Sequence, residues 1–347
     1  MPTLIIRNPS TRDWLRVRRV QQRRARLTPP WDHHAHITDM RHQLASAITG
    51  VSPASDRLVA VVDGEVCAFA LFERGDERFR WYVIEIGAGS PRVDATDEVA
   101  IELWVALLEE GIKRAGEAGA RRVFAFAEPD SNEYEGLKGA GFDGYANYYV
   151  LRGRLPAPQS EAVLGSVRPQ HKSDLWSIHQ LYNHSTPRGV QFAEALTSDA
   201  WALPEESRIP FNRSGRWGFV VPLEDGIGAA CHVSTHGKRP YVTFLCDERL
   251  EASISSIVAA ALVKAGIDRD VNVVVPGYQQ HLLSQFLDEQ FAIVDERIGM
   301  VKHTTVPAVV ETNAAASLSL REARTAATIP YQTLNSRGDE ALTREHA

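Results

Sequence analysis

Residues 121–152, RRVFAFAEPDSNEYEGLKGAGFDGYANYYVLR, carry the pattern that decides the fold. An apolar run at 123–127 reads as a buried strand, and Pro129-Asp130-Ser131-Asn132 reads as a turn. A short helix follows and ends at Gly141, and a second strand runs through 145–151. A weaker copy of this strand, helix, strand order lies at 271–301, VNVVVPGYQQHLLSQFLDEQFAIVDERIGMV. Two copies of one unit in one chain point to two related halves.

Working back toward the N-terminus, 97–118 is amphipathic, with Val99, Leu103, Ala106, Leu107 and Ile112 at helical spacing. Before it, 56–73 reads as a hairpin around Asp63-Gly64, a pair that readily supplies the positive backbone angles of a tight turn, and 81–86 adds a third strand. At the start, 3–7 predicts a strand and 13–27 a helix, with Ser10 or Thr11 as its cap and Asp13 in the first turn, where negative charge suits the helix dipole. That segment is rich in arginine, but the chain is net acidic (-6), so a solvated face is the expectation and nucleic acid is not an expected partner. Residues 32–42 bring together His33, His34, His36 and His42 with Asp32 and Asp39, but at no recognised ligand spacing. No metal is expected there.

The same order begins again past a Pro-, Ala- and Ser-rich stretch at 155–165, which predicts a linker without periodic structure. A strand at 166–168, a helix at 169–184, a hairpin of 217–221 and 228–234 around Glu224-Asp225-Gly226, a strand at 241–246 and a helix at 252–265 precede the second copy. Between them, 181–201 gathers Asn183, His184, Ser185, Thr186, Arg188, Gln191 and Glu194 near Trp201. Helix termination and domain packing account for that cluster, with a substrate-side role as the alternative. The expected domains are therefore 1–155 and 165–307, joined by a linker at 156–164, with a mobile tail at 308–347.

With 347 residues, 44% of them hydrophobic, two ordinary domains have ample core. Cys67, Cys231 and Cys246 are widely spaced within apolar runs and read as small buried residues of a reducing, cytoplasmic setting. The apolar run near the N-terminus is three residues, shorter than the core of a secretion signal, and no stretch is long enough to span a membrane.

The order in both halves, and the step SNEYEGLKGAGF at 131–142 in particular, resembles the GNAT-type N-acetyltransferase superfamily. The resemblance covers roughly 3–154 and 165–307. It implies an α/β (α+β mixed sheet) fold, two tandem GNAT-like domains with mostly antiparallel strands flanked by helices, splayed between the fourth and fifth strands to hold acetyl-CoA. The implied activity is transfer of acetyl from acetyl-CoA to an amine of a small molecule or peptide, with a catalytically inactive ligand- or protein-binding protein as the alternative. Homodimerisation is compatible with either.

What the resemblance implies residue by residue falls on the first half. Glu85 takes the place of a general base and Tyr134 that of a proton donor, because Leu137 stands where the family often has its tyrosine, as Phe286 does in the second half. Ile86, Gly87, Gly89, Arg92 and Asn132 would contact acetyl-CoA. The residues themselves leave alternatives open. Glu85 also fits the outward member of an alternating strand, Tyr134 an ordinary packed tyrosine, and the two glycines relief of crowding at a strand end. The second junction, LCDERLEASISS, holds no glycine.

Overall fold

The computed structural model describes residues 3–10, 13, 17, 23–29, 31, 55–75, 79–89, 96–158, 160–203, 215–235, 239–247, 249–250 and 253–304. All belong to the first of two units, residues 1–306. The histidine-rich loop at 32–42 and the tail at 308–347 lie outside the described residues.

The first half runs β1 (Leu4–Arg7), β2 (Arg23–Arg26), β3 (Ser55–Val62), β4 (Glu65–Arg74), β5 (Arg80–Ala88), α1 (Asp97–Glu117), β6 (Arg122–Ala127), α2 (Asn132–Gly139) and β7 (Asp143–Arg154). The second runs α3 (Glu161–Ser166), β8 (Arg168–Pro169), α4 (Leu175–Ser185), α5 (Arg188–Glu194), β9 (Arg216–Leu223), β10 (Gly226–Thr235), β11 (Pro240–Cys246), α6 (Ile254–Ala265), β12 (Asp270–Pro276), α7 (Gln280–Asp288) and β13 (Ala292–His303). The class is mixed α/β, a large and mostly antiparallel sheet flanked by helices, as the sequence pattern predicts. Among the described residues only β5–β6 and β11–β12 pair in parallel.

Local chemistry accounts for the elements of the deciding stretch. Ser131 caps α2 by accepting the Tyr134 N–H at 3.1 Å, and Gly141 just past its end adopts φ +80°, a conformation that costs other residues more. Asp63 and Gly64 both take positive φ, which matches the twist of the β3–β4 hairpin. Alternation then sorts the sheet faces. Val123, Ala125 and Ala127 of β6 join Trp104, Leu107 and Leu137 in one core, while Phe124 and Phe126 face the other way. A second core gathers Val271, Val273 and Val275 of β12 under α6.

One repeated detail ties the two halves together. Arg7 donates to both carboxylate oxygens of Asp13 (2.6 and 3.2 Å) while the Ser10 N–H donates to Asp13 at 2.6 Å. Arg168 donates to both oxygens of Asp174 (2.7 and 2.8 Å) while the His171 N–H donates to it at 2.7 Å. The spacing is the same in each case, so the clip marks the start of both copies.

The two copies do not close their sheets separately. The strand order is β1-β3-β4-β5-β6-β13-β7-β12-β11-β10-β9-β8. The last strand of the second half, β13, pairs with β6 from Ile298↔Ala127 to His303↔Arg122. The last strand of the first half, β7, pairs with β12 from Asp270↔Arg154 to Pro276↔Tyr148. Each half therefore completes the other's sheet, and β7 and β13 run antiparallel to one another at the centre.

Two local expectations fail. Residues 23–26 of the predicted first helix form β2, because β5 and β6 part company and leave backbone groups that an extended segment satisfies (see below). The predicted linker contains α3, capped by Ser160 accepting the Val163 N–H at 3.2 Å, with Val163 and Leu164 packed on the second core. Ser166 accordingly ends a helix rather than starting a strand.

Candidate functional site

Parallel strands β5 and β6 pair at Arg80↔Arg122, Trp81↔Val123 and Tyr82↔Phe124, then diverge. The gap is filled by the chain itself. Strand β2 pairs with β5 at Arg26↔Glu85, Ala25↔Ile86, Arg24↔Gly87 and Arg23↔Ala88. Past it, the Leu27 N–H donates to the Ile84 carbonyl at 3.0 Å and the Leu27 carbonyl accepts the Phe126 N–H at 2.8 Å, so one residue bridges the two diverging strands. Leu27 is fully buried there.

The residues picked out from the sequence cluster around this filled gap. Glu85 is buried and paired with Arg24, whose Nη2 donates to Oε2 at 2.9 Å. Ile86 is buried between β2 and β4. A Cβ on Gly87 would collide with the Phe69 ring, and the Gly89 N–H donates to the Cys67 carbonyl at 2.9 Å, so both glycines have structural roles. Tyr134 packs on the first core with Lys138 over its ring at 5.3 Å, and Asn132 opens α2. Arg92 lies outside the described residues.

In the second half, β11 and β12 pair only at Tyr241↔Asn272 and Val242↔Val273 before they part. Among the described residues no strand enters this gap, and its edges, Thr243, Phe244 and Leu245 against Val274 and Pro276, line a central cavity of about 600 Å³. None of Glu85, Ile86, Gly87, Gly89, Asn132 and Tyr134 lines it.

A coenzyme pyrophosphate needs uncommitted backbone N–H groups at a helix start and no competing anion. Helix α1 begins with Asp97 and Glu98 in its first turn. At α6, the Ser255 hydroxyl donates to Glu289 Oε1 at 2.6 Å, and Asp247 is buried before it, held by Arg249 through both the backbone N–H (2.9 Å) and Nη2 (2.8 Å). The Arg249 pairing keeps the Asp247 carboxyl low, at about 2, and therefore ionised. One gap is filled by β2 and carboxylates stand at both helix starts, which opposes an anion there; residues 90–95 and 251–252, which lead into the two helices, lie outside the described residues.

The cavity lies on the sheet face opposite α1 and α6. One wall is a run of touching rings: Trp31 with Phe126 (5.8 Å) and Tyr148 (5.2 Å), Tyr148 with Tyr145 (6.4 Å), Tyr145 with Phe124 (6.3 Å) and Phe124 with Tyr82 (5.5 Å). Across from it stand Tyr182 and Trp201, 5.3 Å apart. Glu194 ends α5, and the next residue, Ala195, adopts φ +43°, a left-handed conformation that costs about 1 kcal/mol or more in a residue with a side chain. That turn carries the chain onward from Glu194 to Leu196, Ala200 and Trp201 at the cavity.

Two hydroxyls hold Glu194. Tyr148 Oη donates to Oε1 at 2.8 Å and Tyr182 Oη to Oε2 at 2.7 Å. Glu194 is half-buried and lines the cavity, and desolvation by the surrounding protein raises its pKa, against the opposing pull of the two hydroxyl bonds and of Arg80. The same enclosure raises Tyr145, Tyr148 and Tyr182, so all three remain phenols. His232 also borders the cavity. Gln170 Nε2 donates to the Trp201 carbonyl at 2.8 Å, which turns Gln170 Oε1 toward His232 Nε2 at 2.7 Å, so that nitrogen carries the proton. Burial pushes His232 down to about 4 and it stays neutral.

The sequence picked out 181–201 as a polar cluster, and Glu194 was within it. What the pattern could not reveal is that Tyr148, from the other half, meets the same carboxylate.

Among the described residues no group of three or more histidines, cysteines, aspartates or glutamates is arranged to hold a metal ion, and no helix is long and apolar enough to cross a membrane. No family model matches the sequence, and no curated protein matches it. Solved structures of similar shape include GCN5-related N-acetyltransferases. One from Sphaerobacter thermophilus has 12% identity over 88% of this chain and 97% of its own, with a TM-score of 0.48. Another from Kribbella flavida has 13% identity over 87% and 71%, with a TM-score of 0.44. A tandem GNAT protein from the clavulanic acid biosynthesis pathway has 11% identity over 89% and 100%, with a TM-score of 0.43.

Proposed function

We propose that this chain binds a small organic amine in the central cavity, with the ammonium group at Glu194 and the carbon skeleton against the aromatic wall. The observation that carries the reading is Glu194 itself, a carboxylate enclosed by rings that accepts two hydroxyl hydrogen bonds and has acceptor capacity left for a ligand. Ring faces attract cations, so the wall and the carboxylate favour the same group. A volume of about 600 Å³ is in the range of ordinary ligand pockets.

Acyl transfer to the bound amine is the second reading, favoured by the gap between β11 and β12 that opens onto the same cavity. In that reading Glu194, with its pKa raised by enclosure, would take the amine proton, and the second half would be the catalytic one. The carboxylates at the starts of α1 and α6 support simple binding over this reading.

Calorimetry separates the two. Arylalkylamine binding that is lost in Glu194→Gln, with no heat from acetyl-CoA at millimolar concentration, is the expected result. Saturable acetyl-CoA binding at micromolar concentration would promote acyl transfer, and no binding of any amine would overturn both readings.

A further inference from the structure

Glu194 is not the only charge on the cavity. Arg80, at the start of β5, lies over the Phe124 ring at 4.7 Å and the Tyr82 ring at 6.0 Å, part of the same aromatic wall. Its Nε–H is buried and has no hydrogen-bond partner. A buried donor of this kind is costly unless something completes it, and a planar guanidinium matches a carboxylate fork. No hydrogen bond joins Arg80 to Glu194, which is held by Tyr148 and Tyr182, yet Arg80 is near enough to draw the Glu194 pKa down. Opposite charges therefore line one cavity. Among the described residues the other charged side chains on the lining are Arg74, Arg216 and Glu73.

We infer that the ligand is a zwitterion of the aromatic amino-acid type, with its ammonium at Glu194, its carboxylate at Arg80 and its ring against the aromatic wall at Tyr145. This rests on the amine-binding reading and adds the anionic pole to it. Rigid rings on the wall supply contact area at small entropic cost, and the two charges set the direction in which the ligand lies.

The test is calorimetry at pH 7.5 with L-phenylalanine, phenethylamine, which lacks the carboxylate, and 3-phenylpropionate, which lacks the amine. L-phenylalanine should bind at least about tenfold more tightly than either, since a charge-assisted bond of about 1.5 kcal/mol corresponds to that factor. Arg80→Gln should bring L-phenylalanine to the level of phenethylamine, and Arg80→Lys, which keeps the charge but loses the fork, should fall between. If phenethylamine binds as well as L-phenylalanine to the unaltered protein, the anionic pole is refuted while the amine site stands. If none of the three binds at millimolar concentration, both are refuted. The comparison on the unaltered protein decides the matter even if an Arg80 variant fails to fold.

Discussion

Arg24 donates to Glu85 at 2.9 Å from a strand that occupies the gap between β5 and β6. The pair takes the acid singled out as a general base and gives it a counter-ion inside the fold. Glu85 is buried whereas Arg24 keeps about a third of its side-chain surface exposed. Arg24→Ala should therefore cost about 2 kcal/mol, less than the full penalty of an orphaned buried charge. Glu85→Gln in the same chain should recover most of that loss, and amine binding in the cavity should be unchanged. Urea denaturation checks the first two outcomes and calorimetry the third; Arg24→Ala with unaltered stability would sink the account of β2.

The exchange of β7 and β13 predicts that residues 1–155 expressed alone do not fold as a monomer. Without β13, the edge of β6 from Arg122 to Ala127 has no partner, and an unpaired apolar edge seeks another chain. Size-exclusion chromatography with light scattering should find dimers or aggregates, and co-expression of 156–347 should restore a soluble complex. A monomeric, cooperatively unfolding 1–155 would contradict the exchange.

Glu194 has a raised pKa in the folded chain, with desolvation as the largest cause. The sign follows from linkage: its protonated form favours the fold, so that contribution is present below the unfolded carboxyl pKa and lost as pH rises through the folded value. Glu194→Gln should melt higher than the unaltered protein at pH 8, with the difference shrinking toward pH 4. Thermal melts across that range provide the measurement.

Tyr182 and Tyr148 stabilise the ionised Glu194 through one hydrogen bond each. Tyr182→Phe should raise the Glu194 pKa further and weaken amine binding, with the larger loss at the acidic end of the pH range. The loss should narrow as pH rises and the carboxylate ionises. A pH-independent loss of affinity would assign Tyr182 a packing role only.

Asp174, held low chiefly by its Arg168 hydrogen bonds, works in the opposite direction. A depressed carboxyl contributes stability above the unfolded pKa and loses it as pH falls through the folded one. Asp174→Asn should lower stability at pH 7 by about 1 kcal/mol and flatten the acid limb of the unfolding profile. Chemical denaturation between pH 2 and 7 would show it.

Most strands and the long helices were legible because local rules decide them. Alternation in β6, the Asp63-Gly64 turn and the Ser131 cap each need only neighbours in sequence. Segment 23–26 was misread because its helical context upstream is local, whereas the unpaired backbone of Ile84 and Phe126 that it satisfies is contributed by distant strands. The repeated Arg-Asp clip, Arg7 with Asp13 and Arg168 with Asp174, lies in the sequence at equal spacing and marks the repeat more sharply than the apolar pattern does.

By itself the sequence determined the class of the fold, the repeat and the net acidic balance of the chain, since these follow from periodicity, turn residues and composition. The tertiary structure decided where function can sit. Glu85 became a buried ion pair because β2 reaches it, and Glu194 became the centre of a cavity because strand exchange brings Tyr148 from one half to a helix end of the other. Contacts between residues 46 and 12 positions apart, as in Tyr148–Glu194 and Tyr182–Glu194, are products of topology, and no local pattern encodes them.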